Sequence, residues 1–542
     1  PEALPETLIL SSDIVYYILL FYLLSAKYCN SANILYVKPF TANSHNIVLT
    51  PVGLELARRG HNVTVITGHK EPNTPTNYRQ VLIDHVDIWD LLGDERPNVF
   101  DMVNMNPENF FSQVLCPGGV AITEVTLNSP EVKKLFAEDN NFDLVIGEQF
   151  FQEATNILAY KYRAPLVLIT TFGNCMKHNI AARNPLQLAT VLAEYITVKD
   201  PTSFWGRLRN FYYVFYEYFY WEYYYLPEQE KLVEKHFPDL PKPVPSLLDV
   251  QKNASLILVN GHFTFDSPIA YLPNVIEIGG VHLTETNKQL PQDLQKILDN
   301  AKHGVLYMNF GSNVRSSELP EEKKMAFINV FKSLKQTVLW KWEDDNFENK
   351  PDNVVIRKWF PQKEILTHPN IKVFISHGGL LGTQEATFHG VPIVGVPIYG
   401  DQYNNLLQIQ ELGYGEILEY NDINEDTLGR ILHRVLNDES YLKNAKEMSS
   451  RFKDRPMSAL DTAMYWIEYV LRNNGAAYLR NPALKLSWTA YTMVDVYAFL
   501  TTLFLVILKS ISVLSLGLHH NNVVPIKSRS RSNNLLFPET RQ

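Results

Sequence analysis

The alternation of apolar and polar stretches divides the chain into strand–helix units. Asn33–Phe40 (NILYVKPF) has strand composition, a short loop follows, and Asn46–Arg59 sets Ile47, Leu49, Val52, Leu54, Leu56 and Ala57 at helical spacing. Gly60 ends that helix and His61–Thr67 (HNVTVIT) is the next strand. Phe142–Ile146, Pro165–Thr171, Leu256–Val259, His303–Phe310, Val338–Trp342 and Val354–Lys358 are further apolar runs of strand length. The pattern predicts an α/β protein with a Rossmann-like opening, and the length suggests two to four units. Leu256–Val259 is the last strand assigned to the first domain. Ile423–Asn437 and Tyr441–Lys453 are amphipathic helices, and after Pro456 a long helix to about Asn473 crosses back onto the first domain.

The pattern is sharpest from Lys372 to Asn405. Lys372–Ser376 reads as a strand, His377-Gly378-Gly379 as a turn, Leu380–His389 as a helix ended by Gly390, and Pro392–Pro397 as a second strand. Asp401-Gln402 follow, and another helix begins at about Asn404. In open α/β sheets ligands bind beyond the carboxyl ends of the strands, where His377, the two glycines, Asp401 and Gln402 all fall. The glycines let the backbone approach a ligand, and the helix after them points free N–H groups and its positive dipole end at it, which suits a pyrophosphate. Glu385 is within reach of a ribose diol, and Asp401 and Gln402 suit sugar hydroxyls. Gly311-Ser312, at the end of another strand, offer amides and a hydroxyl to a phosphate. Trp359 can stack on a flat base, and Gln362 can bond to a nucleoside.

The first strand–helix unit has no GxGxxG fingerprint. In its place is His45, at the start of a helix, where the positive helix end favours a neutral, basic ring able to take a proton from a hydroxyl. A helix-capping or surface role is the alternative reading of this residue. Glu148 follows the strand Phe142–Ile146 and lies on the same sheet edge as His45 if the strands are parallel. A carboxylate there would fix the imidazole tautomer and stabilise the imidazolium. Asp143 begins that strand and is the weaker candidate.

Composition narrows the picture further. The chain has 542 residues and a net charge of −9, so there is no general basic field to hold nucleic acid. Three cysteines are too few for a disulfide framework; a Cys116–Cys175 bridge and two free thiols both stay open. Ile14–Leu24 has the length of a signal-peptide core, so residues 1–32 are expected to be a signal peptide. Tyr491–Leu518 is long and apolar enough to span a bilayer despite Lys509, and the basic residues after it place the tail in the cytoplasm. Phe204–Leu226 is dense in Tyr, Phe and Trp and reads as amphipathic helices that roof an apolar site, touch a bilayer surface, or simply pack within the domain.

WFPQ (Trp359–Gln362), SHGG (Ser376–Gly379), Glu385 and DQ (Asp401-Gln402), in that order, resemble the donor-sugar signature of the UDP-glycosyltransferases. RFKDRPMSALDTAMYWIEYV (Arg451–Val470) especially resembles insect members of that family. The resemblance implies the two-domain fold called GT-B: an acceptor-binding domain over residues 33–266, a linker over 267–300, a UDP-sugar domain over 301–455, helices crossing back to the first domain over 456–490, a transmembrane helix over 491–518 and a cytoplasmic tail over 519–542. It implies an inverting transfer of a hexose, glucose rather than glucuronate, from a UDP-sugar to a small lipophilic hydroxyl compound, with no cofactor and no metal. His45 would be the general base and Glu148 its partner. Gly311, Ser312, Trp359, Gln362, His377, Gly378, Gly379, Glu385, Asp401 and Gln402 would hold the donor. Two departures stand out: Glu148 replaces the aspartate of many relatives, and Leu381 replaces an asparagine found two residues after the second glycine. The expected setting is the endoplasmic reticulum membrane, single-pass, with the bulk lumenal; homo-oligomerisation stays open. A non-catalytic sugar-nucleotide or lipid-binding membrane protein, or a glycolipid-forming transferase of the same fold, are the alternatives.

Overall fold

The computed structural model describes residues 31–86, 88–91, 97–173, 175–283 and 289–522. The segment expected to be a signal-peptide core and most of the expected tail therefore lie outside the described residues. Among the described residues, thirteen strands form two parallel sheets. The first sheet holds β1 (Asn33–Lys38), β2 (Asn62–Thr67), β3 (Tyr78–Leu82), β4 (Leu144–Glu148), β5 (Leu166–Thr170), β6 (Leu256–Val259) and β7 (Val275–Glu277) in the order β3-β2-β1-β4-β5-β6-β7. The second holds β8 (Val305–Asn309), β9 (Thr337–Lys341), β10 (Val354–Arg357), β11 (Ile371–Ser376), β12 (Ile393–Gly395) and β13 (Gly415–Ile417) in the order β10-β9-β8-β11-β12-β13. The central strands β1, β4, β5, β8 and β11 are apolar nearly throughout because helices cover both faces of each sheet.

Both sheets reverse direction in the same way. The chain runs outward from the first strand of each half through two neighbours, then returns to the other side of that first strand. Each reversal leaves a switch point, between β1 and β4 in the first sheet and between β8 and β11 in the second, where a crevice opens beyond the strand ends. Those two points carry the site.

The stretch read as a linker is partly structural. β7 pairs with β6 and completes the first sheet, so that sheet extends past Val259 and past residue 266. Its three residues are too short and too mixed to stand out by periodicity. Gln292–Asn300, at the other end of that stretch, is a helix whose Leu294 and Leu298 are buried with the second sheet's core. The returning helix is as expected. Ala459–Arg472 buries Ala463, Met464, Ile467 and Val470 in one cluster with Ile34 of β1 and Val48 of helix α1 (Asn43–Arg58). Arg59 pairs with Asp461 at 2.8 Å across that contact.

The aromatic segment is one long helical stretch, opened by α2 (Phe204–Tyr220). It buries Tyr213, Val214, Trp221 and Tyr225 in the first lobe's core. Phe204, Trp205, Leu208, Phe211, Tyr212 and Phe219 face outward, Trp205 at 75% exposure. It does not roof the central cavity: none of residues 204–226 lines it. Cys116 and Cys175 are both buried free thiols.

The described residues from 482 onward form a separate compact unit. Its helix Val494–Asn522 contains a stretch, Val494–Leu516, long and apolar enough to cross a membrane, with mean hydropathy 2.1 and none of its most apolar window buried. Pro107–Asn128 meets the same length and composition test but is 61% buried, as a core helix is.

Candidate active site

At the first switch point β1 leads into α1, and His45 lies in the first turn of that helix. Glu148 is the last residue of β4, the neighbouring strand. The parallel register brings both to one sheet edge although 103 residues separate them, and His45 Nδ1 pairs with Glu148 Oε1. Thr171, just past β5, also sits against His45 Nδ1, with its Oγ1 at 3.1 Å. Phe40, Phe150 and Phe172 box the imidazole with ring centroids 4.4, 4.8 and 5.8 Å away. With Nδ1 engaged on the protein side, Nε2 is left for the cavity that His45 lines. That is the arrangement of an oriented general base: one nitrogen fixed by a carboxylate, the other free to accept. Asp143 is excluded from it, because its Oδ2 accepts from the Asn33 backbone N–H at 2.8 Å, at the opposite end of the sheet.

The second switch point carries the residues expected to hold the donor. Gly311 follows β8, His377 follows β11, and helix α3 (Leu380–His389) starts immediately after Gly379. Here the glycines act differently from the expectation that they simply admit a ligand. A Cβ on Gly311 would lie 2.8 Å from the His377 ring, and one on Gly379 would lie 2.5 Å from His377 Nε2. The two glycines make room for the imidazole itself, which is wedged between two loops. Gly378 has φ +86° and turns the chain; a side chain there would also strike Leu406 at 2.6 Å. Burial, and then the positive charge of Lys341, push the His377 pKa down to about 4, so the ring meets a ligand uncharged.

Glu385, on α3, is buried, and that burial lifts its pKa to about 7. Gln362 donates to Glu385 Oε2 at 2.6 Å and accepts from Asn309 Nδ2 at 2.6 Å. Gln362 is thus tied into the protein rather than held open for a nucleoside. Asn309 was not singled out from the sequence; its signal is a polar residue closing an apolar strand. Its Oδ1 also accepts from the Gly311 N–H at 2.8 Å, so it ties the phosphate loop to the Gln362–Glu385 pair. Trp359 is 60% exposed at the cavity mouth, a large aromatic surface that water covers until something stacks on it.

Asp401 precedes helix α4 (Gln402–Glu411), and its Oδ2 accepts from Asn405 at 2.9 Å. Burial raises its pKa to about 6. Gln402 Oε1 accepts from the Ile398 and Tyr399 N–H groups at 2.8 and 3.1 Å, which folds the loop that presents Asp401. Gln384, on α3, binds the first lobe from both sides, donating to the Asn260 carbonyl at 2.8 Å and accepting from the Gly280 N–H at 3.1 Å.

One cavity of about 510 Å³ is lined by His45, Gly311, Ser312, Trp359, Gln362, His377, Gly379, Glu385, Asp401 and Gln402. Glu148 stands behind His45, and Gly378 behind the turn. Leu381 also lines the cavity. Part of its wall is aromatic and apolar, with Trp89, Phe110, Val114, Phe150, Phe172 and Tyr195.

The family model described as UDP-glucoronosyl and UDP-glucosyl transferase matches residues 119–530. The chain belongs to the UDP-glycosyltransferase family. It is 35% identical to UDP-glycosyltransferase UGT5 of Dactylopius coccus over 87% of this chain and 89% of that protein. It is 36% identical to UDP-glucosyltransferase 2 of the same species, over 88% and 91%. Human UDP-glucuronosyltransferase 1A8 is 32% identical over 69% of each chain. Among solved structures, a UDP-glucosyltransferase from Polygonum tinctorium shares the fold with a TM-score of 0.56 at 16% identity, covering 82% of this chain and 99% of that one. The fold is therefore GT-B, and this transferase takes a UDP-sugar donor and an acceptor substrate.

Proposed function

We propose that this transferase moves glucose from UDP-glucose to a hydroxyl of a small, lipophilic, aromatic acceptor, with inversion at the anomeric carbon. The observation that carries the reading is the opening of the His45–Glu148 pair and the His377–α3 donor loop into one cavity. His45 Nε2 takes the acceptor proton as its oxygen attacks the anomeric carbon, and Glu148 balances the imidazolium. The free N–H groups at the α3 N-terminus, with Ser312 and the Gly311 amide, receive the charge that develops on the departing diphosphate. The scheme needs no metal, and full activity in a chelator is the expected outcome.

Two features favour a neutral hexose. Asp401 and Gln402 suit hydroxyl groups, and the carboxylate would repel a uronate. No arginine lines the cavity among the described residues, and the lining lysine, Lys363, donates to the His282 carbonyl at 3.1 Å. The aromatic wall beside His45 favours flat apolar acceptors such as phenols, the chemistry of detoxifying conjugation. The apolar stretch Val494–Leu516 supports a single span, and we place the catalytic unit on the lumenal side of the endoplasmic reticulum. A lipid acceptor is the second reading; the outward aromatic face of α2 favours it.

The test is acceptor-dependent UDP release by membranes carrying the chain, with UDP-glucose and UDP-glucuronate compared over phenols, steroids and lipid alcohols. Turnover with UDP-glucose and phenols supports the proposal. Turnover confined to UDP-glucuronate overturns the donor, and turnover confined to lipid alcohols overturns the acceptor.

A further inference from the structure

We infer that His282 is a second ribose-reading residue, which takes one hydroxyl of the nucleotide between its own ring and Glu385. The inference rests on the donor reading above. His282 follows β7, in the part of the first lobe that reaches the second, and it lines the central cavity. It is 5% exposed. Neither ring nitrogen makes a hydrogen bond of normal geometry within the protein; the Leu381 backbone acts on the ring without closing one. A buried polar side chain left in that state costs free energy unless a ligand completes it.

The geometry names what would complete it. His282 Nε2 stands 3.9 Å from Glu385 Oε1. That is too far for a hydrogen bond, yet a single oxygen fits between them at about 2.8 Å from each. A hydroxyl both donates and accepts, so it can donate to the carboxylate on one side and accept from the imidazole on the other when Nε2 carries the ring proton. The other Glu385 oxygen is already engaged by Gln362. Lys363 holds the backbone carbonyl of His282 and Gln384 holds the Gly280 N–H two residues earlier, so the main chain that carries the ring is tied on both sides. An ion pair would have closed the gap. Burial and Lys363 push the His282 pKa down to about 3, while burial lifts that of Glu385 to about 7, so the two are not held together as opposite charges near neutrality. The ribose hydroxyl then becomes a bridge between the first lobe and α3.

The test is direct binding of UDP, 2′-deoxy-UDP and 3′-deoxy-UDP to the full chain in detergent micelles, by calorimetry, for the wild type, His282→Ala and His282→Gln. The wild type is expected to prefer UDP over one of the two deoxynucleotides by about tenfold, the worth of one buried hydrogen-bonding group left unpaired. His282→Ala should weaken UDP by about that factor, leave that deoxynucleotide unchanged and so erase the preference; His282→Gln should restore part of it. Equal weakening of all three nucleotides would show a packing role and overturn the inference, as would unchanged UDP binding in His282→Ala. A wild type that binds UDP without discriminating the deoxynucleotides overturns this inference alone. A wild type that binds no UDP overturns the donor reading beneath it.

Discussion

The two switch points hold chemistry of different kinds, built in different ways. The one between β1 and β4 is the one proposed to move a proton. It consists of side chains from three distant segments, His45, Glu148 and Thr171, joined only by the parallel register and sealed by phenylalanine rings. The one between β8 and β11 is the one proposed to bind the nucleotide. It is mostly backbone, with a wedged histidine, two glycines that accommodate it and a helix N-terminus, and most of it comes from one continuous run. A site made of charge pairing depends on remote partners, whereas a site made of backbone shape depends on adjacent residues. Substitutions in the first should therefore appear in kcat with donor binding intact, and those in the second in donor affinity.

The largest expected effect breaks the first site. His45→Ala should lower kcat by about 10²–10⁴-fold, the usual worth of a general base, while calorimetric UDP binding stays unchanged. Loss of UDP binding in that variant would collapse the distinction between the two sites. Glu148→Ala should cost about 10²-fold in kcat, the lower end of that range, because the base remains but loses its orientation and counter-charge. Glu148→Asp should recover part of the activity.

The second site responds in affinity. Glu385→Gln should raise the donor KM by about 10–100-fold, the scale of one or two hydrogen bonds to a charged acceptor. The pH dependence has a definite sign. Only the ionised carboxylate accepts from both ribose hydroxyls, and burial raises the Glu385 pKa to about 7, so wild-type donor affinity should fall as pH drops through 7. Donor KM measured against pH in Glu385→Gln should be flat across that window.

Gly379→Ala sharpens the contrast, because it adds one carbon 2.5 Å from His377 Nε2 and touches no reacting group. It should raise the donor KM by about tenfold through overpacking and leave kcat nearly unchanged, as steady-state kinetics would show. The smallest effect belongs to Trp359→Ala, with donor affinity weakened about three- to tenfold by the lost stacking surface. At 60% exposure that residue contributes little to the core, so the melting temperature should not move.

The sequence by itself determined the α/β class and the family, and it singled out the run Lys372–Asn405 and His45. Strand–turn–helix periodicity and glycine positions are local properties, and they survived with ends shifted by one to three residues: α4 begins at Gln402 rather than at Asn404, and β12 spans Ile393–Gly395 rather than Pro392–Pro397. Only the tertiary structure decided the rest. β7 is three residues long and makes sense only beside β6. The outward face of α2 depends on what packs behind it, so the residues could not show that the aromatic helix stays clear of the cavity. Gln362 and Gln402 were legible as site residues, but not that each spends its oxygen on holding a neighbour in place. Asn309 and His282 carry no pattern of their own, since an asparagine ending a strand and a histidine in an irregular loop are common. Register and burial made them part of the site, because both are set by contacts between residues far apart in the chain.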